Sequence, residues 1–136
     1  MSRSREQQLS RSRKNRSIEM ITSHKDLLVW QRSMDLVETV YRLTGSFPAG
    51  EQFGLVSQMR RAAVSVPSNI AEGYGRQATG EYRHHVSIGR GSLLELETQI
   101  LLARRLKYLQ PADVEPVLKE IDEISRMLAT LVSKLS

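Results

Sequence analysis

Four stretches of this chain place apolar residues at alternating steps of three and four, and that spacing restricts the fold more than any other feature. In the first, over roughly residues 26–44, Leu27, Trp30, Met34, Val37, Tyr41 and Thr44 line one side of a helix. In the second, over roughly 51–75, the stripe is Leu55, Met59, Ala62 and Val66, flanked by Val56, Ala63 and Ile70. The third, roughly 80–107, runs through Tyr82, Val86, Gly89, Leu93, Leu96, Ile100 and Ala103. The fourth, roughly 112–135, runs through Val114, Val117, Ile121, Ile124, Leu128, Leu131 and Leu135. No stretch alternates with a period of two, so no sheet is expected. A helix with an apolar stripe must bury it against another element. Four helices of similar length with short loops do so as an antiparallel up-down bundle. Residues 23–136 are therefore read as one all-α domain, a four-helix bundle.

Punctuation between the stripes supports these limits. Gly45-Ser46-Phe47-Pro48 ends the first helix. Pro67 lies inside the second, where it removes a backbone donor and crowds the preceding turn, so a kink or short break is expected there. Gly73-Tyr74-Gly75 closes that helix, and Thr79 is the candidate N-cap of the next. Gly89 and Gly91 weaken helix three intrinsically and are read as sites of close backbone approach. Pro111 and Pro116 leave the first turn of helix four ambiguous. Leu94, Leu101 and Leu102 widen the apolar face of helix three beyond what a lone bundle buries, which suggests contacts between subunits.

Aromatic residues make up only 5% of the 136, so aliphatic side chains must fill the core. The absence of cysteine excludes disulfides, thiolate nucleophiles and zinc–thiolate sites. No apolar run is long enough for a signal peptide or a membrane span, and a cytoplasmic location is the default. Residues 1–22 are rich in Ser and Arg and nearly devoid of apolar groups, so they are expected to be a disordered basic tail. Arg3, Arg5, Arg11, Arg13, Lys14 and Arg16 oppose only Glu6 and Glu19 over residues 1–20. Such a tail suits nucleic acid or an anionic surface, or is simply a solvated extension. Met20, just before the periodicity begins, is a candidate second start codon.

The chemistry of an enzyme is missing. His84 and His85 are adjacent and point about 100° apart on a helix, so they do not ligate one metal from that helix. Glu81-Tyr82-Arg83-His84 matches the Glu-x-x-His element of a di-iron bundle, but no second copy exists. No phosphate-binding loop is present, and Gly73-Tyr74-Gly75 has no strand before it. Glu95 and Glu97 face different directions and are read as a solvated group and an ion-pair partner. No catalytic residue, metal or cofactor is therefore expected.

What does concentrate is positive charge. Residues 58–107 hold Arg60, Arg61, Arg76, Arg83, Arg90, Arg104, Arg105 and Lys107 against Glu72, Glu81, Glu95 and Glu97. Arg83, Arg90 and Arg104 share a position beside the core stripe of helix three. Residues 108–136 are instead rich in Asp and Glu. A one-sided positive stripe is the footprint of a phosphate-binding surface, although a charge run is also what an ordinary solvated face shows. The candidate nucleic-acid contacts are Arg60, Arg76, Arg83, Arg90, Arg104, Arg105 and Lys107. With few aromatics available for the surface, little base stacking is expected.

Several blocks occur in a familiar order. They are Leu27-Leu28-Val29-Trp30-Gln31, Phe47-Pro48 with Glu51, and Gln58-Met59-Arg60-Arg61-Ala62-Ala63. Ser65-Val66-Pro67-Ser68-Asn69-Ile70-Ala71-Glu72-Gly73-Tyr74-Gly75-Arg76 follows, then Gly91-Ser92-Leu93-Leu94-Glu95-Leu96-Glu97-Thr98-Gln99. Over roughly 24–135 the chain resembles the four-helix bundle family of intervening-sequence proteins, encoded within inserts of bacterial large-subunit ribosomal RNA genes. That family includes the accessory variability determinant of diversity-generating retroelements. The resemblance implies a barrel-like homopentamer. For the retroelement members it also implies a basic surface that binds RNA and DNA, and a reverse transcriptase as partner. Within the Asn-Ile-Ala-Glu-Gly block, Asn69 and Glu72 are expected to satisfy backbone groups freed near Pro67 or to pair with Arg61. Arg61, Pro67, Asn69, Glu72 and Gly73 are read as structural, with Arg61–Glu72 as the expected ion pair.

Overall fold

A computed structural model describes residues 21–135. Its helices are α1 (Leu28–Thr44), α2 (Leu55–Tyr74), α3 (Thr79–Arg105) and α4 (Pro111–Lys134), with 3-10 turns at His24–Asp26 and Ala49–Glu51. No strand occurs among the described residues. α1 packs on α2 and α4, and α3 packs on the same two helices, which gives a four-helix bundle.

Local chemistry explains where the helices begin. The expected start of helix one near residue 26 is a separate 3-10 turn, because Ser23 and Asp26 form a reciprocal capping box around it. Thr79 is not the N-cap of α3: Ala78 holds that position, with no side-chain capping bond. The ambiguity at helix four is resolved at Pro111, which occupies the first helical turn, where its missing N–H costs nothing. Gln110 and Asp113 cap that turn, and the helix continues through Pro116. α2 likewise runs unbroken through Pro67, so no break forms there.

The stripes of α2, α3 and α4 are buried as read, with Met59, Val66, Leu93, Leu96, Ile100, Ile124 and Leu128 among the core residues. Tyr82 and Leu131 are only half-buried at the margin of the core, and Leu135, just past the end of α4, is half-buried outside it. The stripe assigned to α1 holds only in part: Thr44 is buried, and Leu27, Trp30 and Val37 pack partly against the core, but Met34 and Tyr41 are exposed. The fully buried line runs one residue earlier, through Val29, Ser33, Leu36, Val40 and Leu43. Ser33 hides the true stripe by interrupting it with a polar residue. Its hydroxyl donates to the Val29 carbonyl at 2.7 Å, so it is buried without an unpaired group.

Contacts between helices fix their register. Along α2 the partners on α3 descend as residue numbers rise: Ser65 meets Ser92, and Gly73 meets His85 and Tyr82. Arg32 of α1 pairs with Glu123 of α4. α3 ends in a Schellman motif, in which the Tyr108 N–H donates to the Ala103 carbonyl and the Lys107 N–H to the Arg104 carbonyl, both at 2.9 Å. The Tyr108 ring then packs 5.3 Å from that of Phe47, joining the α3–α4 turn to the α1–α2 connection. Ile21 and Thr22, assigned to the tail, are tied to the bundle: the Tyr74 hydroxyl donates to the Ile21 carbonyl and the Thr22 N–H to Asp26. The expectations of a disordered tail and of a start at Met20 otherwise lie outside the described residues.

Candidate nucleic-acid interface

The α2–α3 seam gathers the polar residues of the Asn-Ile-Ala-Glu-Gly block, and it is held by hydrogen bonds rather than by the expected Arg61–Glu72 pair. Asn69 donates to the Ser65 carbonyl at 2.8 Å and to its hydroxyl at 3.0 Å, while Ser92 donates to the same hydroxyl at 2.9 Å. His85 Nδ1 bonds the Asn69 side-chain oxygen at 3.1 Å. Glu72 pairs with Arg76 at 3.0 Å and lies 3.9 Å from His85 Nε2. Arg61 and Glu72 share a helix face but lie about 16 Å apart along its axis, too far to touch. Arg61 instead lines a shallow groove of about 310 Å³ with Gln58, Ser65, Ser92 and Glu95. Glu95 accepts from Gln99 at 3.3 Å and forms no ion pair with Arg61.

Gly73 accounts for the closeness of this seam. A Cβ there would meet the His85 Cβ at 2.9 Å and Tyr82 Cδ1 at 3.0 Å. Gly89 is buried against Val66, whose carbonyl would stand 3.7 Å from an added Cβ. Gly91 does not fit its assigned role, since it is exposed and a Cβ there would meet nothing within 4 Å. Burial raises the Tyr82 pKa above 10.0, and the neighbouring Tyr74 adds to the effect.

The seven candidate cations separate into three groups. Arg60 is committed to the fold. Its Nε donates to the Thr44 hydroxyl at 3.0 Å, Nη2 donates to the Tyr41 carbonyl at 3.4 Å, and the guanidinium sits 4.4 Å over the Tyr41 ring. It thereby satisfies the C-terminal turn of α1. Arg76 is occupied by Glu72. The other five, Arg83, Arg90, Arg104, Arg105 and Lys107, pair with no carboxylate among the described residues. Arg83 is half-buried and the other four are exposed. Arg83 and Arg90 lie two turns apart on α3, a separation of roughly 10 Å. Arg104, Arg105 and Lys107 form a cationic cluster where α3 ends, with no acid in the interval. Lys107 adopts φ 65°, the one positive φ at a non-glycine residue among those described.

Sequence reasoning missed Phe53. It lies between the Ala49–Glu51 turn and α2 and is 95% exposed. Its position two residues ahead of the helix-two stripe was a signal that it has no core partner. Among the described residues, no group of His, Asp and Glu is arranged to hold a metal ion, and no helix is long and apolar enough to cross a membrane.

Comparison with known proteins bears on the whole bundle. A crystal structure of a protein of unknown function from the S23 ribosomal protein family of Bacteroides thetaiotaomicron is similar, with a TM-score of 0.73 at 20% identity. The match covers 78% of this chain and 96% of that one, and shows a shared fold. No curated protein matches the chain. The model of the 23S rRNA-intervening sequence protein family matches residues 25–130, from the first 3-10 turn to near the end of α4. The chain belongs to the 23S rRNA-intervening sequence protein family.

Proposed function

We propose that this protein is a non-catalytic, oligomeric scaffold that binds RNA through the phosphate backbone. The observation that carries this reading is the set of five cations on α3 and its C-terminal turn that have no carboxylate partner. Cations left unneutralised on one helix attract a polyanion and gain affinity by releasing its counterions. The family's link to ribosomal RNA makes RNA the first nucleic acid to test, with DNA as the comparison. Backbone contacts position a ligand without reading its sequence, so sequence-tolerant binding follows. A cytoplasmic location suits such a ligand.

A second reading draws on exposed leucines. Leu94 is 65% exposed and Leu102 45% exposed on α3, and Leu101 is exposed beside them. An apolar surface of this kind suits protein contacts: the homopentamer implied by the resemblance, or a partner such as a reverse transcriptase. Charge reversal at Arg90, Arg104 and Arg105 separates the two readings. The RNA reading expects loss of RNA binding with oligomer mass unchanged. Loss of partner capture with no RNA binding in the wild-type protein favours the interaction module.

A further inference from the structure

The groove along the α2–α3 seam holds two opposite charges that do not neutralise each other. Gln58, Arg61, Ala62 and Ser65 of α2 and Ser92 and Glu95 of α3 line it, around a space of about 310 Å³. Arg61 is exposed and pairs with no carboxylate among the described residues, and Glu95 pairs with no cation among them. Glu95 is oriented by Gln99, whose Nε2 donates to its Oε1 at 3.3 Å. Gln99 is itself only 7% exposed, and its own Oε1 has no hydrogen-bond partner. The bond lengths of an amide put that orphaned acceptor within about 6 Å of the Glu95 carboxylate. A buried acceptor without a donor is uncommon and costly. The hydroxyls show the converse deficit. Ser65 Oγ accepts from Asn69 Nδ2 at 3.0 Å and shares one hydroxyl proton with Ser92 at 2.9 Å. Each serine carries one such proton, so the other is left at the groove with no acceptor among the described residues. Unused donors therefore stand at Arg61 and the serine pair, and unused acceptors at Glu95 and Gln99.

We propose that this groove binds a free α-amino acid, its carboxylate held by Arg61 and the spare serine hydroxyl, its ammonium by Glu95 and Gln99 Oε1. An occupant has to bring acceptors to one set of groups and donors to the other, and it gains most when it carries both charges. A guanidinium takes a carboxylate in bidentate geometry, and an ammonium supplies three donors and no acceptor. An α-amino acid carries both groups on one carbon, in a molecule small enough for a space of this volume. A nucleobase also offers donors and acceptors side by side. Ala62 is the one apolar residue among those lining the groove, however, so the faces of a base would have nothing to stack on. The groove shares no residue with the five cations of α3 and its C-terminal turn, so amino-acid binding goes beyond the RNA reading and does not depend on it.

The test is titration of the full chain with glycine, L-alanine and L-glutamine, followed by amide NMR and calorimetry. Saturable shifts of the Ser65 and Ser92 backbone amides and of the Gln99 side-chain amide are expected with at least one of the three. N-acetylglycine lacks the ammonium, glycinamide lacks the carboxylate, and glycylglycine separates the two by a peptide unit. Each is expected to bind the wild-type protein at least about 10-fold more weakly than glycine does, a comparison that needs no variant. Arg61→Ala and Glu95→Gln alter exposed side chains without ion pairs, so melting temperatures are expected to stay within about 2 °C of wild type. Each is expected to weaken binding by about 10- to 150-fold. No saturable shift at about 10 mM of any of the three amino acids overturns the site. Glycinamide or N-acetylglycine binding as tightly as glycine overturns it, and so does amino-acid binding that both substitutions leave unchanged. Saturation by guanosine where no amino acid binds makes the groove a base site and overturns it as well.

Discussion

Gly73 of α2 stands against His85 of α3 so closely that a Cβ on Gly73 would lie 2.9 Å from the Cβ of His85. Glycine within a helix is ordinarily a liability of roughly 0.5–1 kcal/mol relative to alanine. Here the relation reverses, because an added methyl would push apart two helices already joined through Asn69, Ser65 and Ser92. Gly73→Ala is expected to destabilise the protein by about 1–3 kcal/mol. Gly91→Ala, which meets nothing within 4 Å, is expected to stabilise it by about 0.5–1 kcal/mol. Chemical denaturation of the two variants gives opposite signs if this account of the seam is right.

Lys107 occupies the position of the α3 Schellman motif where glycine is usual, at φ 65°. The left-handed conformation costs a side-chain-bearing residue about 1–2 kcal/mol, offset in part by the greater freedom of glycine when unfolded. Lys107→Gly is therefore expected to raise stability by about 1 kcal/mol while weakening RNA binding. A variant that lost stability would show that the lysine side chain supports the turn.

The acidic face of α4 gives a pH-dependent test. Burial raises the Glu120 pKa above 4.5; Arg32 opposes the shift, and Asp35 and Glu123 add to it. A carboxylate whose pKa rises on folding binds its proton more tightly in the folded state, so its ionised form costs stability at neutral pH. That cost shrinks as pH falls through the raised pKa and disappears below the unfolded value. Glu120→Gln is expected to raise the melting temperature at pH 7, with the gain fading as pH approaches about 4. Melting curves across that range check it, and an advantage independent of pH contradicts the assignment.

Arg60 and the Arg104–Arg105 pair separate fold from binding. Arg60 bonds Thr44 and Tyr41 and covers the Tyr41 ring, so Arg60→Ala is expected to cost about 1–2 kcal/mol of stability. Arg104→Ala and Arg105→Ala remove exposed side chains without carboxylate partners and are expected to shift stability by no more than about 0.5 kcal/mol each. Paired melting and RNA-binding measurements on these variants should show the opposite ranking for affinity.

The bundle was legible because α2, α3 and α4 each carry an apolar stripe interrupted by little. In α1 the hydroxyl of Ser33 is satisfied by its own helix, which makes a core position read as polar and displaces the stripe by one residue. Charge is visible in sequence, but its partners are not. Arg60 and Arg90 look alike as letters, yet one is tied to Tyr41 and the other projects from α3. The Arg61–Glu72 expectation failed on helical rise alone, which separates the two by three turns. Phe53 stands two residues ahead of the α2 stripe, which marks it as lacking a core partner, but its near-complete exposure is visible only once the Ala49–Glu51 turn and the start of α2 are placed.

The central claim is that the folded domain engages RNA through the cations of α3 and its C-terminal turn. Anisotropy titration of labelled single-stranded RNA across salt concentrations, with the full chain and with its Arg90→Glu, Arg104→Glu and Arg105→Glu triple variant, tests it most directly. The account predicts that log K falls steeply with log salt for the wild-type protein, and that the variant binds far more weakly with a shallower slope. Equal affinity and equal slope in the two proteins would contradict it, because binding would then lie outside the surface of α3.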